Sequence, residues 1–582
     1  MEAVELCLSN GTAENADNCS IVLELTENDP LFDKKKKLLL DKGFGVKLQI
    51  YLKSSSSLDS ISNTLERMLQ IGRIIHLDEV ELYFGEHDTQ LGFYSTRNEL
   101  EALNSMLLLV NNSLSGQTYK LVNVLQDLQE AVIDKIHKMG NKYKVEMKID
   151  KTYIGDKEKI LVQWGENNGV RTKLEIACKF SRFRTGWAGL LGSLKCVEGA
   201  GRGTIAMEDL KVGDIALEIP VSIIISEDIV YKCDLYNILQ KIDGMSSESM
   251  LLLWSMKEKH NCDSKFKNYF ETLPKEFNTG LSFGVDAIMA LEGTLLLEEI
   301  MQAKEHLRNQ YDEFFPALCN DYPDIFPAEF YTWEQFLWAC ELWYSNSMKV
   351  MFADGKLRTC LIPIAGFLNH SNILSDCGKP ELYPHIVHYG KVDSVTNSLK
   401  FPLSRPCSAG EQCCLSYGNF STSHLITFYG FSPQGDNPYD VIPIDIDVGQ
   451  DDCIEDCPMS NWSTHMVQGT WRSNNHNIFH YGLPTPLLDY LRRVRNPLQQ
   501  EKDLSQANLE IELEVLEDLQ STFSAMMESL GDSDFVDGEN TSWDVKLAME
   551  SKDLQRKIIS SILTSCSAGC KLVESELSRF VS

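Results

Sequence analysis

At 582 residues the chain is too long for one core, and about three or four domains are expected from length alone. A hydrophobic fraction of 43% and a charged fraction of 24% are those of a folding, globular sequence. With 84 acidic against 54 basic residues the net charge is −30, which repels phosphate backbones and argues against a nucleic-acid partner; an acidic surface serves solubility and basic protein partners alike.

Seventeen cysteines, an odd number without regular spacing, point to reduced thiols and a cytoplasmic or nuclear location. Neither Cys413-Cys414 nor Cys453-x-x-x-Cys457 has a second pair at zinc-finger distance. No run approaches the roughly 20 apolar residues of a membrane span, and the acidic start Met1-Glu-Ala-Val-Glu-Leu resembles neither a secretory signal nor a transit peptide. No membrane partner is therefore expected.

In chain order, residues 1 to about 35 are polar and acidic, and read as mobile. Lys34–Lys37 reads as a solvated helix end or a nuclear address. Gly45–Leu52 alternates like a strand, and Thr96–Val110 and Tyr119–Met139 carry leucines and valines at helical spacing. Residues 1–150 thus form an N-terminal extension of mixed or helical character, and their sequence points to no chemistry.

A new unit opens at Lys159–Trp164, helix-like, and continues through Leu174–Ile176. Glu198-Gly-Ala-Gly-Arg-Gly-Thr-Ile-Ala206 is a glycine-rich turn feeding a strand; its glycines permit positive φ and close approach by a ligand. It is neither a dinucleotide-binding loop nor a phosphate-binding loop, because the glycine spacing is wrong and Gly-Lys-Ser/Thr is missing. Ile215–Ile225 reads as two short strands around Pro220. From about 228 to 345 the pattern is helical, notably at Met250–Met256, Leu295–Tyr311 and Trp333–Tyr344. Strand patterns return at Gly355–Pro363, Ile386–Leu399 and Ala409–Tyr417. Leu483–Val494, Leu504–Leu530 and Val545–Phe580 are helical, and the acidic stretch Glu510–Glu517 reads as a solvated face.

Chemistry concentrates where Leu361-Ile-Pro-Ile-Ala-Gly-Phe-Leu ends in Asn369-His370-Ser371, three polar side chains at the edge of an apolar run. Such a placement serves a turn or a site. No Ser/His/Asp order, carboxylate pair or metal-ligand run stands out, and no metal is expected. His385-x-x-His388 lies in a strand-like stretch where i and i+3 face opposite ways. His370 alone would be a satisfied buried histidine and Tyr417 alone a core residue; their joint company with the turn near 200 favours a site.

Glu198-Gly-Ala-Gly-Arg-Gly, Gly366-Phe-Leu-Asn-His-Ser371, Gly410-Glu-Gln…Ser416-Tyr-Gly418 and Tyr429-Gly-Phe431, in this order, resemble the successive motifs of SET-domain protein methyltransferases. Trp254-Ser-Met-Lys-Glu-Lys-His260, Phe270-Glu-Thr-Leu-Pro274, Trp338-Ala-Cys, Asn437-Pro-Tyr-Asp440 and Tyr481-Gly-Leu-Pro484…Leu488 are similar to the branch containing the Rubisco large-subunit lysine methyltransferase and the actin-histidine methyltransferase. The resemblance covers roughly residues 155–575. It implies an α+β fold: a SET domain over 155–431 with a pseudoknot and a helical insertion at about 228–345, and a helical substrate-binding domain over 432–582.

It also implies S-adenosylmethionine as methyl donor and a protein side-chain amine as acceptor, most simply lysine in a non-histone protein. Alternatives are histidine as acceptor, or a catalytically silent module that binds a protein through its C-terminal helices. Carried over by position, Glu198, Gly199, Ala200, Gly201, Asn346, Asn369, His370 and Tyr429 would line the donor site, and Tyr417 would be the active-site tyrosine. A monomer is expected. Three positions depart from the family. Asn346 stands where relatives carry arginine, Gly366 where they carry an acid, and His424 near where they carry glutamate.

Overall fold

The computed structural model describes residues 18–53, 56–85, 94–114, 119–141, 154–178, 201–370, 384–387, 389–433, 435–444, 462, 464–496, 502–531 and 541–581. These residues divide into two units with interleaved segments: 1–232, 262–273 and 347–417 form the first, and 233–261, 274–346 and 418–582 the second.

The first unit begins with a surprise for the sequence reading. Residues 18–24 are not mobile: strand β1 (Asn18–Glu24) pairs antiparallel with β2 (Lys47–Lys53), Ile21 opposite Ile50. Ile21, Leu23, Ile50 and Leu52 are buried, and apolar alternation offsets the polar composition that suggested disorder. Lys35, inside the expected solvated run, is 4% exposed, its ammonium bound to Asp29 at 2.7 Å and to the Ile75 carbonyl at 2.9 Å. Helices Leu58–Ile75, Thr96–Leu114 and Tyr119–Asn141 pack their leucine faces together. Gly72 permits that approach, since a Cβ there would lie 2.7 Å from Met106 Cε.

After helix Asp156–Asn167 come β3 (Arg171–Thr172), β4 (Leu174–Cys178), β5 (Arg202–Ala206) and β6 (Ile215–Pro220). The second strand expected after Pro220 is a single 3-10 turn, Val221–Ile223. Proline fixes φ and supplies no donor, so the strand stops there. Then follow β7 (Ser347–Met351), β8 (Leu357–Leu361), β9 (Asn369–His370), β10 (Val392–Asp393), β11 (Ser398–Pro402) and β12 (Gln412–Leu415). They assemble as two four-stranded sheets, β10-β11-β6-β3 and β4-β5-β12-β9, and the hairpin β7-β8. β12 is antiparallel to β5 but parallel to β9, with Cys414 opposite Asn369 and Leu415 opposite His370. A parallel pair cannot be joined by a tight turn. The connection from β9 to β12 therefore travels round, and part of it, 371–383, lies outside the described residues.

The second unit is helical, with Ser247–His260, Leu295–Asp321, Trp333–Asn346, Thr422–Tyr429, Thr485–Arg495, Gln506–Ser529 and Trp543–Val581, plus the hairpin β13 (Ile442–Ile444) and β14 (His465–Val467). One acidic residue of the stretch 510–517 is not solvated: Glu512 is fully buried against Arg492, Oε2 to Nη2 at 2.8 Å. The acidic run thus mixes exposed Glu510, Glu514 and Glu517 with a buried ion pair. Among the described residues no helix is long and apolar enough to cross a membrane.

Candidate active site

The apolar run after β8 does not continue as a strand. Ile362, Ile364, Ala365 and Leu368 are buried, and Ile364 takes φ 72°, a left-handed conformation a β-branched residue adopts at a cost of roughly 1–3 kcal/mol. The strained residue turns the chain into a 3-10 turn, Ala365–Phe367, which delivers Asn369 and His370 to the edge of β12. Helix Asp156–Asn167 makes room for the kink: a Cβ on Gly165 would lie 2.4 Å from Ile364 Cδ1.

Asn369 is fixed by its own amide, Nδ2 donating to the Arg202 carbonyl at 2.9 Å. Arg202 is itself braced. Its guanidinium binds Glu158 at 2.9 Å and the Thr272 carbonyl at 2.6 Å, and lies 4.9 Å from the centroid of the Phe367 ring. Gly201, one residue earlier, has φ 83° and open space where a Cβ would stand, so the glycine serves backbone conformation rather than close packing. Glu198, Gly199 and Ala200 lie outside the described residues.

β12 carries Tyr417 just past its end. The Tyr417 backbone N–H donates to His370 Nδ1 at 3.0 Å, the Tyr417 hydroxyl donates to the Leu368 carbonyl at 3.0 Å, and the two rings stack with centroids 4.9 Å apart. An Nδ1 that accepts a hydrogen bond carries no proton, and burial lowers the His370 pKa to about 4, so the imidazole is neutral at physiological pH. Asn369, His370 and Tyr417 are thus brought together with Arg202, which sequence reasoning had counted only as part of the turn.

Asn346 and Tyr429 belong to the second unit. Asn346 ends helix Trp333–Asn346, with Nδ2 donating to Ser345 Oγ at 2.7 Å. Tyr429 ends helix Thr422–Tyr429 among Phe420, His424 and Phe431, and burial raises its hydroxyl pKa to about 12. That helix is anchored by Asp440, which accepts from Thr422 N at 2.7 Å and Thr422 Oγ1 at 2.9 Å. His424, where relatives were expected to carry an acid, stacks on Phe420 at 4.3 Å, and burial lowers its pKa.

His385 was weighed by sequence only against His388, which lies outside the described residues. Its structural company is different: Cys407 and Cys413, which sequence reasoning left unassigned. The pairing of segment 384–387 with β12 brings them together, and no spacing in the sequence announces it.

No family model matches the chain. Its fold nevertheless matches that of solved SET-domain structures. "Crystal structure of the SET domain of LSMT bound to Lysine and AdoHcy" superposes with TM-score 0.52 at 16% identity over 73% of this chain and 94% of the other. "Structure of Rubisco LSMT bound to Sinefungin and Monomethyllysine" gives TM-score 0.53 at 17% identity, over 73% and 96%. The fold is therefore an α+β SET fold.

In sequence the chain is similar to the Rubisco large-subunit N-methyltransferase of Nicotiana tabacum, 26% identical over 40% of this chain and 45% of that protein. The actin-histidine N-methyltransferase of Rhinolophus ferrumequinum is 24% identical, over 43% and 41%. The chain thus resembles the Rubisco-methyltransferase and actin-histidine-methyltransferase branch, and matches somewhat under half the length of these two relatives.

Proposed function

We propose that the chain is an S-adenosylmethionine-dependent protein N-methyltransferase acting on lysine in a non-histone protein. The observation that carries this is the parallel pairing of β9 with β12, which sets Asn369 and His370 beside a tyrosine whose hydroxyl is already oriented. S-adenosylmethionine supplies an electrophilic methyl on a sulfonium cation. A neutral His370 suits a cationic neighbour, and Gly201 and Asn369 suit a ligand approaching backbone at a sheet edge. Glu198, Gly199, Ala200, Gly201, Asn369 and His370 would hold the donor, with Asn346 and Tyr429 as further candidates from the second unit. Residues 155–431 constitute the SET domain in this proposal, with an insertion at about 228–345. Residues 432–582 form the helical domain that binds the protein substrate.

The role of Tyr417 follows from its bonds. By donating to Leu368, the hydroxyl spends its proton and keeps its lone pairs for an incoming amine and for weak C–H···O contacts. A lysine ammonium, with an ordinary pKa of about 10.4, must lose its proton before attack, and a partly dry channel favours that loss. Holding the amine in line then lowers the barrier mainly by positioning.

The 24% identity to an actin-histidine enzyme supports a second acceptor, histidine. Calorimetric titration with S-adenosylmethionine, followed by labelled-donor transfer in cell extract and mapping of the modified residue, tests both. Modified lysine supports the proposal and modified histidine replaces it. Absence of binding at millimolar donor leaves a silent protein-binding module, for which the amide of Asn346, standing where relatives carry a donor-holding arginine, is the structural motive.

A further inference from the structure

At the start of β12, opposite the tyrosine end, three metal-ligating side chains from different segments converge. A ring nitrogen of His385, Cys407 Sγ and Cys413 Sγ all lie within 4.8 Å of one another, and the residues are 2%, 1% and 0% exposed. No other group of three or more such side chains with this convergence occurs among the described residues. We propose that His385, Cys407 and Cys413 supply three ligands of a tetrahedral zinc site, with water in the fourth position, that staples segment 384–387 and the 407 turn to β12.

The donor set selects the metal. Two thiolates and an imidazole suit zinc rather than magnesium or calcium, which prefer oxygen ligands. Tetrahedral zinc, with bonds of about 2.3 Å to sulfur and 2.0 Å to nitrogen, sets its ligand atoms roughly 3.5–3.8 Å apart. The side chains therefore need to close by only about 1 Å.

The surroundings fit as well. His385 Nε2 meets Glu411 Oε1 at 3.0 Å, and the Cys414 N–H donates to Nδ1 at 3.1 Å. Nδ1 is thus the unprotonated nitrogen, whose lone pair zinc would take over from the Cys414 N–H, and Nε2–H is held by a carboxylate, the arrangement that orients histidine ligands in zinc proteins. Zinc with two thiolates is neutral in sum, and Glu411 is offset by Arg405 at 3.2 Å, so binding buries no uncompensated charge. Both thiols release their protons to solvent on binding, which makes affinity rise with pH.

The test uses the full chain, purified without chelator and then exchanged with zinc or cobalt(II). One zinc per chain by elemental analysis is expected, with a thiolate-to-cobalt charge-transfer band on substitution and a lower melting temperature after chelation. Cys407→Ser and Cys413→Ser each abolish the band and bring zinc close to zero; His385→Asn lowers zinc affinity by more than the roughly 10–100-fold that losing an outer-shell partner costs. If these variants fail to fold, the unmodified chain decides. A chain that takes up no zinc and gives no cobalt–thiolate band overturns the proposal. So does a native disulfide between Cys407 and Cys413 by mass mapping, or zinc retained undiminished in the folded Cys407→Ser and Cys413→Ser variants.

Discussion

The two ends of β12 are built from similar parts to opposite effect. At one end His385 sits between Glu411 and a backbone N–H, its imidazole and the thiols of Cys407 and Cys413 buried while Glu411 and Arg405 reach partly into solvent. At the other, His370 takes the Tyr417 N–H and stacks on its ring, and burial keeps it neutral. Both histidines flank the same four-residue strand, yet one is locked by charge and the other kept free of it. The strand that carries Tyr417 is thus anchored by hydrogen bonds and charge at the end away from the tyrosine.

The largest expected effect separates chemistry from anchoring. Tyr417→Phe should lower methyl transfer on the order of a hundredfold, the usual loss on removing one positioned polar group. Donor affinity and melting temperature should stay near those of the parent chain. Donor affinity falling as far as turnover would place Tyr417 in the donor site instead.

Next, Glu411→Ala removes the carboxylate that takes the His385 and Arg405 hydrogen bonds, and should destabilise the fold by about 3 kcal/mol in denaturant titration. A cost under about 0.5 kcal/mol would mean that this end of β12 is not anchored by charge.

The two ends should also titrate apart. His370 has its folded pKa lowered to about 4 from an ordinary 6.5, so the unfolded chain binds the proton more readily. The stability it contributes is present above pH 6.5 and is lost as pH falls through 4, on the order of 3 kcal/mol in all. Glu411 is held at about 2: burial raises it, but the His385 hydrogen bond and the nearby positive charge of Arg405 prevail. Its contribution is present above the ordinary carboxylate value and is lost only as pH falls through 2. Unfolding of a His370→Gln variant should therefore lose pH dependence between 6.5 and 4 but keep it below 4. A pH dependence there equal to the parent's would remove His370 as its source.

The smallest effect concerns the kink. Gly165→Ala sets a Cβ 2.4 Å from Ile364 Cδ1, the end of a side chain whose backbone is already strained. Overpacking costs typically 1–3 kcal/mol and the helix gains almost 1 from alanine, so a net loss of about 1 kcal/mol is expected in thermal unfolding. A stabilised variant would show that Ile364 moves freely.

Much of this was legible in the sequence. Helices at Thr96–Leu114, Trp333–Asn346 and Trp543–Val581 follow from apolar spacing, because a helix buries a stripe that recurs every third or fourth residue. Asn369, His370 and Tyr417 were selected by an ordered set of motifs, and they do meet. Other features were hidden because they depend on partners far along the chain. β1 looked disordered because its seven residues gain order only from β2, and Glu512 looked solvated because Arg492 lies on another helix. Val221 looked like strand because apolar periodicity cannot register a proline's missing donor.

The sequence by itself determined which residues carry polar chemistry at the edge of an apolar run, since hydrophobic patterning and motif order are local properties of the chain. Only tertiary structure decided that β9 and β12 run parallel, that Ile364 bends against Gly165, and that His385 meets Cys407 and Cys413 rather than its neighbour three residues on. These are contacts between segments brought together by sheet pairing, and pairing energy is shared across strands, so neither segment alone encodes it.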